Sequence, residues 1–190
     1  MPCFIANGRT EQCKDSISGI QALYLINFGD FDPDAAPAGD VTYDATVGFE
    51  DQITAIGGSI ASLYKYELKG NNGFNTTVNT SRDNGTTFFT QTITAELKRQ
   101  DPVFHKQFKI LAYGRPHIVV RTNGNQFFIA GLRRGCDATA GSVESGVAYG
   151  DFNGYKITFE AMEEKPANFL DCSTEADLLT LLGSPTLVTT

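Results

Sequence analysis

The chain has 190 residues, 41% of them hydrophobic and 19% charged, with a net charge of -7 and an isoelectric point near 4.8. That length supports one domain with a sizeable core, and the acidic balance opposes tight nucleic-acid binding, which needs Lys and Arg to release phosphate counterions. No apolar run reaches the roughly 18 residues of a membrane-spanning helix, and Met1–Thr10, with one Arg and no apolar stretch, predicts no secretory signal peptide.

In chain order, residues 1–19 are expected to form an N-terminal arm, 20–170 a single β-rich domain, and 171–190 a short C-terminal helix and tail. Ile20–Phe28 predicts a strand with Ile20, Ala22, Tyr24, Ile26 and Phe28 on one face. Residues 29–40 read as a loop. Val41–Thr46 and Gln52–Ile56 are weaker strand signals, and Ser59–Lys69 alternates strongly.

Residues 74–97 read as one long β-hairpin turning at Asn84-Gly85. Both turn residues tolerate positive φ, so a two-residue type I′ turn is expected. That turn pairs Asp83 with Thr86, Asn79 with Thr90, Thr77 with Thr92 and Asn75 with Thr94 on one almost uncharged face. The other face carries Phe74/Ala95, Thr76/Ile93, Val78/Gln91 and Thr80/Phe89, and is expected to lie against the body. A polar, uncharged face of this length points to a surface that meets another subunit or lines an aqueous space.

A helix is expected to start at Asp101-Pro102, an N-cap followed by proline at the first helical position. Phe104, Phe108 and Leu111 form its apolar stripe, and Gly114 and Pro116 end it. Strands Pro116–Thr122 and Asn125–Leu132 follow, joined by Asn123-Gly124 as a second two-residue turn. Gly135–Gly150 reads as a long loop of small residues. Tyr155–Glu163 is the last expected strand. Ser173 or Thr174 is placed to cap a short helix, Glu175–Leu182, with Ser184–Thr190 as a loose tail. The expected fold class is mainly β (α+β): an antiparallel sandwich or barrel with a long hairpin and one central helix.

No residue set carries recognisable catalysis. His105 and His117 sit in no metal or nucleophile motif, and Val143-Glu144-Ser145-Gly146 lacks the first glycine of a nucleophile elbow. Asp30, Asp32 and Asp34 have the spacing that opens a calcium loop. Ala35 and Val41 stand where that loop needs Gly and Glu, so a solvated acidic loop is expected. Asp171, Glu175 and Asp177 suit a helix N-terminus. The four cysteines, Cys3, Cys13, Cys136 and Cys172, form no Cys-x-x-Cys pair and are expected to be free thiols. Three Asn-x-Ser/Thr triplets, at Asn75, Asn79 and Asn84, read as the composition of the strand rather than as glycosylation sites. No enzyme activity, metal or cofactor is expected.

The polar hairpin Phe74–Leu97, the helix opening at Asp101-Pro102 and the ending Gly150-Asp-Phe-Asn-Gly-Tyr-Lys-Ile-Thr-Phe-Glu160 together resemble the tube fold of bacteriophage tail tube proteins and their relatives in contractile injection systems. The resemblance spans about residues 13–170. Residues 115–170 also resemble virion proteins of tailed phages of gut Bacteroidetes, of the crAss-like kind. The resemblance implies homo-hexameric rings whose hairpins join into an inner β-barrel. It further implies stacking into a conduit that DNA crosses without specific binding, contacts with other tail or neck proteins, and residence in the virion tail after synthesis in the host cytoplasm. Asn75, Thr77, Asn79, Thr90, Thr92 and Thr94 are then expected to line the lumen, and Arg133, Arg134 and Tyr149 to lie between subunits. The arm 1–19 and loop 135–150 would pack on the next ring. A neck or terminator ring is the near alternative. An alternative of another class is a monomeric carbohydrate-binding sandwich using Tyr64, Tyr66, Tyr113 or Tyr149 as stacking platforms.

Overall fold

Strand β1 (Ile20–Ile26) divides the molecule, because its alternate side chains enter two different cores. The structure is a computed structural model that describes residues 8–10, 14, 17–35 and 39–189. Most of the expected arm 1–19, with Cys3 and Cys13, therefore lies outside the described residues. β1 sits in a six-stranded sheet with β4 (Ser62–Glu67), β7 (His117–Thr122), β8 (Phe127–Ala130), β11 (Asn168–Phe169) and β12 (Thr186–Val188), in the order β11-β8-β7-β1-β4-β12. Its pairings are antiparallel apart from β12 on β4.

On one side of this sheet Ala22, Tyr24, Ile26, Leu63, Val119, Phe127 and Ile129 form a core. It is covered by Ile53 and Ile56 of a small hairpin, β2 (Val41–Tyr43) and β3 (Ile53–Ile56), and by Leu178 and Leu181 of helix α2 (Glu175–Leu181). Thr174 and Asp177 close a reciprocal capping box at the start of α2. Glu175 then joins the helix to the sheet: Tyr24 Oη donates to its carboxylate at 2.8 Å and Lys65 Nζ lies 2.7 Å from it.

On the other side Leu23, Leu25, Ile118 and Val120 face Ile93, Ala95, Ile157, Phe159 and Ala161 of a second, four-stranded sheet. That sheet holds β5 (Gly73–Ser81), β6 (Thr86–Lys98), β9 (Asp137–Glu144) and β10 (Gly154–Glu163), in the order β5-β6-β10-β9, all antiparallel. The protein is thus mainly β and α+β, with antiparallel sheets packed face to face, as its composition and alternation predict.

Helix α1 (Pro102–Tyr113) lies beneath β9. Asp101 caps it through a bond from Phe104 N at 3.1 Å, Pro102 occupies the first turn, and Gly114 N donates to Ile110 O. Its inward side seats Phe104 edge-on to Tyr155 (4.8 Å) and Tyr66 (5.6 Å), with Phe108 5.3 Å from Tyr155. None of its residues is fully buried.

Several expectations give way. Ile20 joins the inter-sheet core rather than the face of Ala22, because the β1–β7 register shifts between these two residues. The expected loop Gly135–Gly150 contains strand β9. Gly141 faces inward there, and a Cβ at that position would come 3.0 Å from the Phe108 ring. Strand β9 can be poor in large residues because the helix supplies the aromatic bulk below it. The expected loose tail contains β12, which continues the sheet through pairing with Ser62–Tyr64. The Asn123-Gly124 turn is a three-residue loop, Asn123–Asn125, with Asn125 rather than the glycine at positive φ (57°) and Thr122 N bonded to Gln126 O.

The 131–135 turn is held from inside. Buried Glu163 accepts from Arg133 N (3.0 Å) and Arg134 N (2.9 Å), and Gln91 Oε1 accepts from Gly131 N (2.9 Å). His117 is buried beside it, with Nδ1 2.7 Å from Gly131 O and its ring against Phe31 and Phe28.

A candidate assembly surface

The hairpin β5–β6 forms, in a register two residues away from the expected one. Ser81 pairs with Thr86, Asn79 with Phe88, Thr77 with Thr90, Asn75 with Thr92 and Gly73 with Thr94. The loop is four residues, Arg82–Gly85, and Gly85 closes it at φ 64° instead of serving as the second residue of a type I′ turn. A shift of two preserves the pleat, whereas a shift of one would have exchanged the faces. Asn75, Thr77, Asn79, Thr90, Thr92 and Thr94 therefore still share one face, and none of them belongs to either core. Asn79 Nδ2 donates to Thr90 Oγ1 at 2.8 Å across the strands, and Asn75 Nδ2 to Thr77 Oγ1 at 3.2 Å along one.

The face is less uniform than the Asn/Thr pattern implies. Phe88 shares it opposite Asn79, 39% exposed, and Met162 lies next to Thr90 on β10. Beyond the hairpin it runs across β10 and β9 through Thr158, Glu160, Lys156, Ser142 and Glu144. Four carboxylates (Glu96, Asp137, Glu144 and Glu160) stand on it against Lys156 and, at the strand end, Lys98. Lys156 Nζ lies 3.0 Å from Glu144, which also accepts from Ser142 Oγ at 2.8 Å. These two bonds, the lysine's first, hold the Glu144 carboxyl below its ordinary pKa. The surface as a whole is polar and acidic.

The opposite face of the hairpin is only partly held against the body. Ile93 is fully buried and Phe74 packs on the core, but Val78 is 58% exposed. The distal third of the hairpin overhangs. Among the described residues the two outer strands, β5 and β9, each have a β partner on one side only. Long bare edges are association sites unless charge, proline or bulges blunt them. β5 carries no charge or proline over its nine residues. β9 keeps its charges at its ends, with one bulge near Thr139.

Arg133 and Arg134 point to solvent from the turn that Glu163 anchors. Arg133 is engaged within the chain, 3.0 Å from Asp34 and 3.5 Å from Glu164, while Arg134 reaches Glu164 only at 4.0 Å and is 65% exposed. Tyr149 is fully exposed on the β9–β10 loop, as is Val147. That loop is pinned by Asp151, whose carboxylate accepts from Val147 N (2.9 Å) and Ala148 N (2.7 Å) and is kept below its usual pKa by those bonds. Tyr64 and Tyr66, considered as sugar platforms, pack partly into the inter-sheet core, whereas Tyr113 is 81% exposed.

In the Asp30–Asp34 loop Asp32 Oδ1 accepts from Asp34 N, the Asp34 carboxylate pairs with Arg133, and Asp40 Oδ2 accepts from Asp32 N. Among the described residues no three His, Cys, Asp or Glu side chains gather as metal ligands. Burial pushes the Cys172 thiol up to about 12 and raises that of Cys136 further, leaving both as inert thiols. The free edge of β9 is faint in the sequence, because the bulge at Thr139 puts Ala138 and Ala140 on opposite faces and interrupts the alternation.

No family model, curated protein or solved structure matches this chain.

Proposed function

We propose that the chain is a non-enzymatic structural protein that assembles head to tail into closed rings through its four-stranded sheet. The polar face lines the bore, and stacked rings form a phage tail tube. The observation that carries this reading is the pairing order. Directions alternate through β5, β6, β10 and β9, and among the described residues each outer strand has one edge without a β partner. The β9 edge of one copy can therefore continue the β5 edge of the next in antiparallel fashion, and repetition removes every free edge. A face with more carboxylates than amines releases no phosphate counterions, so DNA would pass without being gripped. Six copies per ring, contacts with other tail or neck proteins, and residence in the virion after synthesis in the host cytoplasm follow from the resemblance to tail tube proteins. A neck or terminator ring uses the same edges. A monomeric sugar-binding module fits less well, since only Tyr113 and Tyr149 of its four candidate platforms stand free.

Native mass measurement and negative-stain microscopy of the purified chain test the proposal. Rings or tubes are expected, and a chain that stays monomeric at high concentration overturns it. Thr92→Lys, at the middle of the polar face, is expected to fold normally yet impair tube assembly or DNA passage. Particles carrying it that infect normally would remove the lumen assignment.

A further inference from the structure

Two apolar surfaces lie behind the four-stranded sheet, one beside each of its outer strands. The first is an open cleft of about 620 Å³ beside β5. Phe74 and Thr76 of β5 form one wall, and Phe128, Phe169 and the loop residue Phe49 the others. Phe128 stands 5.6 Å from Phe74 and 4.3 Å from Phe169, so the floor is a continuous run of rings. Phe49 and Phe169 are 55% and 47% exposed, an unusual outlay of aromatic surface in one place. The second is the outward side of α1, beneath β9. Val103, Ile110 and Tyr113 are 58%, 51% and 81% exposed, and helical spacing aligns them on one flank with Lys106 among them. Helix α1 is thus apolar on two sides, one packed on its own sheets and one largely exposed, where Val103 borders a small pocket with Tyr64, Tyr66 and Val188 while Ile110 and Tyr113 stand free of it.

We infer that the outward flank of α1 from one copy seats in the Phe49/Phe74/Phe128/Phe169 cleft of the next copy. The inference rests on the head-to-tail reading above and gives it a second layer of contact. The cleft flanks the β5 edge and the helix underlies the β9 edge. The step that brings β9 beside β5 therefore brings the helix to the cleft. Charge agrees with the fit. The loop that forms the cleft's wall continues from Phe49 into Glu50 and Asp51, opposite in sign to Lys106 on the helix flank. Asp51 is already 3.1 Å from Lys165, whereas the Glu50 carboxylate is engaged only by the backbone Gly48 N (2.9 Å), which leaves its charge as the better partner for the incoming lysine. The contact is heterologous, a helix on one side and a hole on the other, so it propagates around a ring rather than ending at a dimer.

The test uses two variants altered at exposed positions, Ile110→Asp on the helix and Phe169→Asp in the cleft. Each should keep the wild-type circular dichroism and thermal midpoint as a monomer. Each should move assembly to concentrations about tenfold or more higher, the loss expected for one buried large apolar side chain. Mixed together, they should form one-to-one dimers and no rings, because only one of the two possible contacts between them keeps both intact surfaces. Phe169→Lys should restore assembly to Ile110→Asp in a doubly substituted chain. Wild-type rings with both variants assembling as well as wild type would overturn the helix-in-cleft contact and leave edge pairing standing. A wild-type chain that never associates would overturn both. A variant that loses its fold is replaced by Tyr113→Asp or Phe49→Asp, which carry the same expectations.

Discussion

The two sheets solve the same problem in opposite ways. The six-stranded sheet is covered on both faces, and its outer strands, β11 and β12, are two and three residues long. Among the described residues the four-stranded sheet is covered on one face only, and its outer strands, β5 and β9, run for nine and eight residues. Short edges offer little for another chain to pair with. The contrast teaches that one sheet is finished within the chain while the other is left with a face and two edges to spare. Stability belongs to the first sheet and to the core between the two, and under the ring proposal recognition falls to the open side of the second.

That division can be broken by substitution. The largest effect is expected from Phe159→Ala. The ring is 2% exposed between the sheets, and its loss should cost about 3–5 kcal/mol in denaturant unfolding. A cost under about 1 kcal/mol would mean that the inter-sheet core is not where the fold is held. Removing the cap of α2 with Thr174→Ala should cost about 1 kcal/mol, a local loss at the covered sheet. Acid should act on the covered side too. Burial holds the His117 pKa below its ordinary value, with the Gly131 carbonyl and Asp30 pulling it up and Arg115 pushing it down. The unfolded chain therefore takes up this proton first. Stability should fall as pH drops below about 6.5, and His117→Phe should flatten that part of the profile. A wild-type unfolding midpoint that does not change between about pH 7.5 and about pH 5.5 would contradict this. The smallest effect is expected on the bare face: Thr92→Lys should shift monomer stability by no more than about 0.5 kcal/mol. A large loss there would show that the face is part of the fold's own support.

Much of this was legible in the chain. The helix at Asp101-Pro102 follows from local chemistry, and local chemistry is what a linear reading sees. The segregation of Asn75, Thr77 and Asn79 from Phe74 and Ile93 follows from a period of two, which is blind to even shifts in pairing. The register was not legible for the same reason: Asn84-Gly85 fits two loop lengths equally well, and the choice falls on where Gly85 takes its positive φ. Strand β9 was hidden because its packing partner, Phe108, lies on another element. β12 was hidden because a parallel strand of three residues leaves almost no pattern. The Phe74/Phe128/Phe169 cleft joins residues distant in sequence, and no window of the chain contains it.

The four strands of the open sheet have one more consequence, a matter of parity. An even number of alternating strands ends on the direction opposite to the one it began with. Each added copy then meets its neighbour antiparallel, whatever the count, and a sheet of three or five strands would force a parallel seam at every junction. Under the ring proposal, hydrogen bonding is therefore satisfied equally by five, six or seven copies and does not select among them. The number must be set by the wedge angle of the layer behind, where bulk at the radius of α1 decides how sharply each subunit turns from the last.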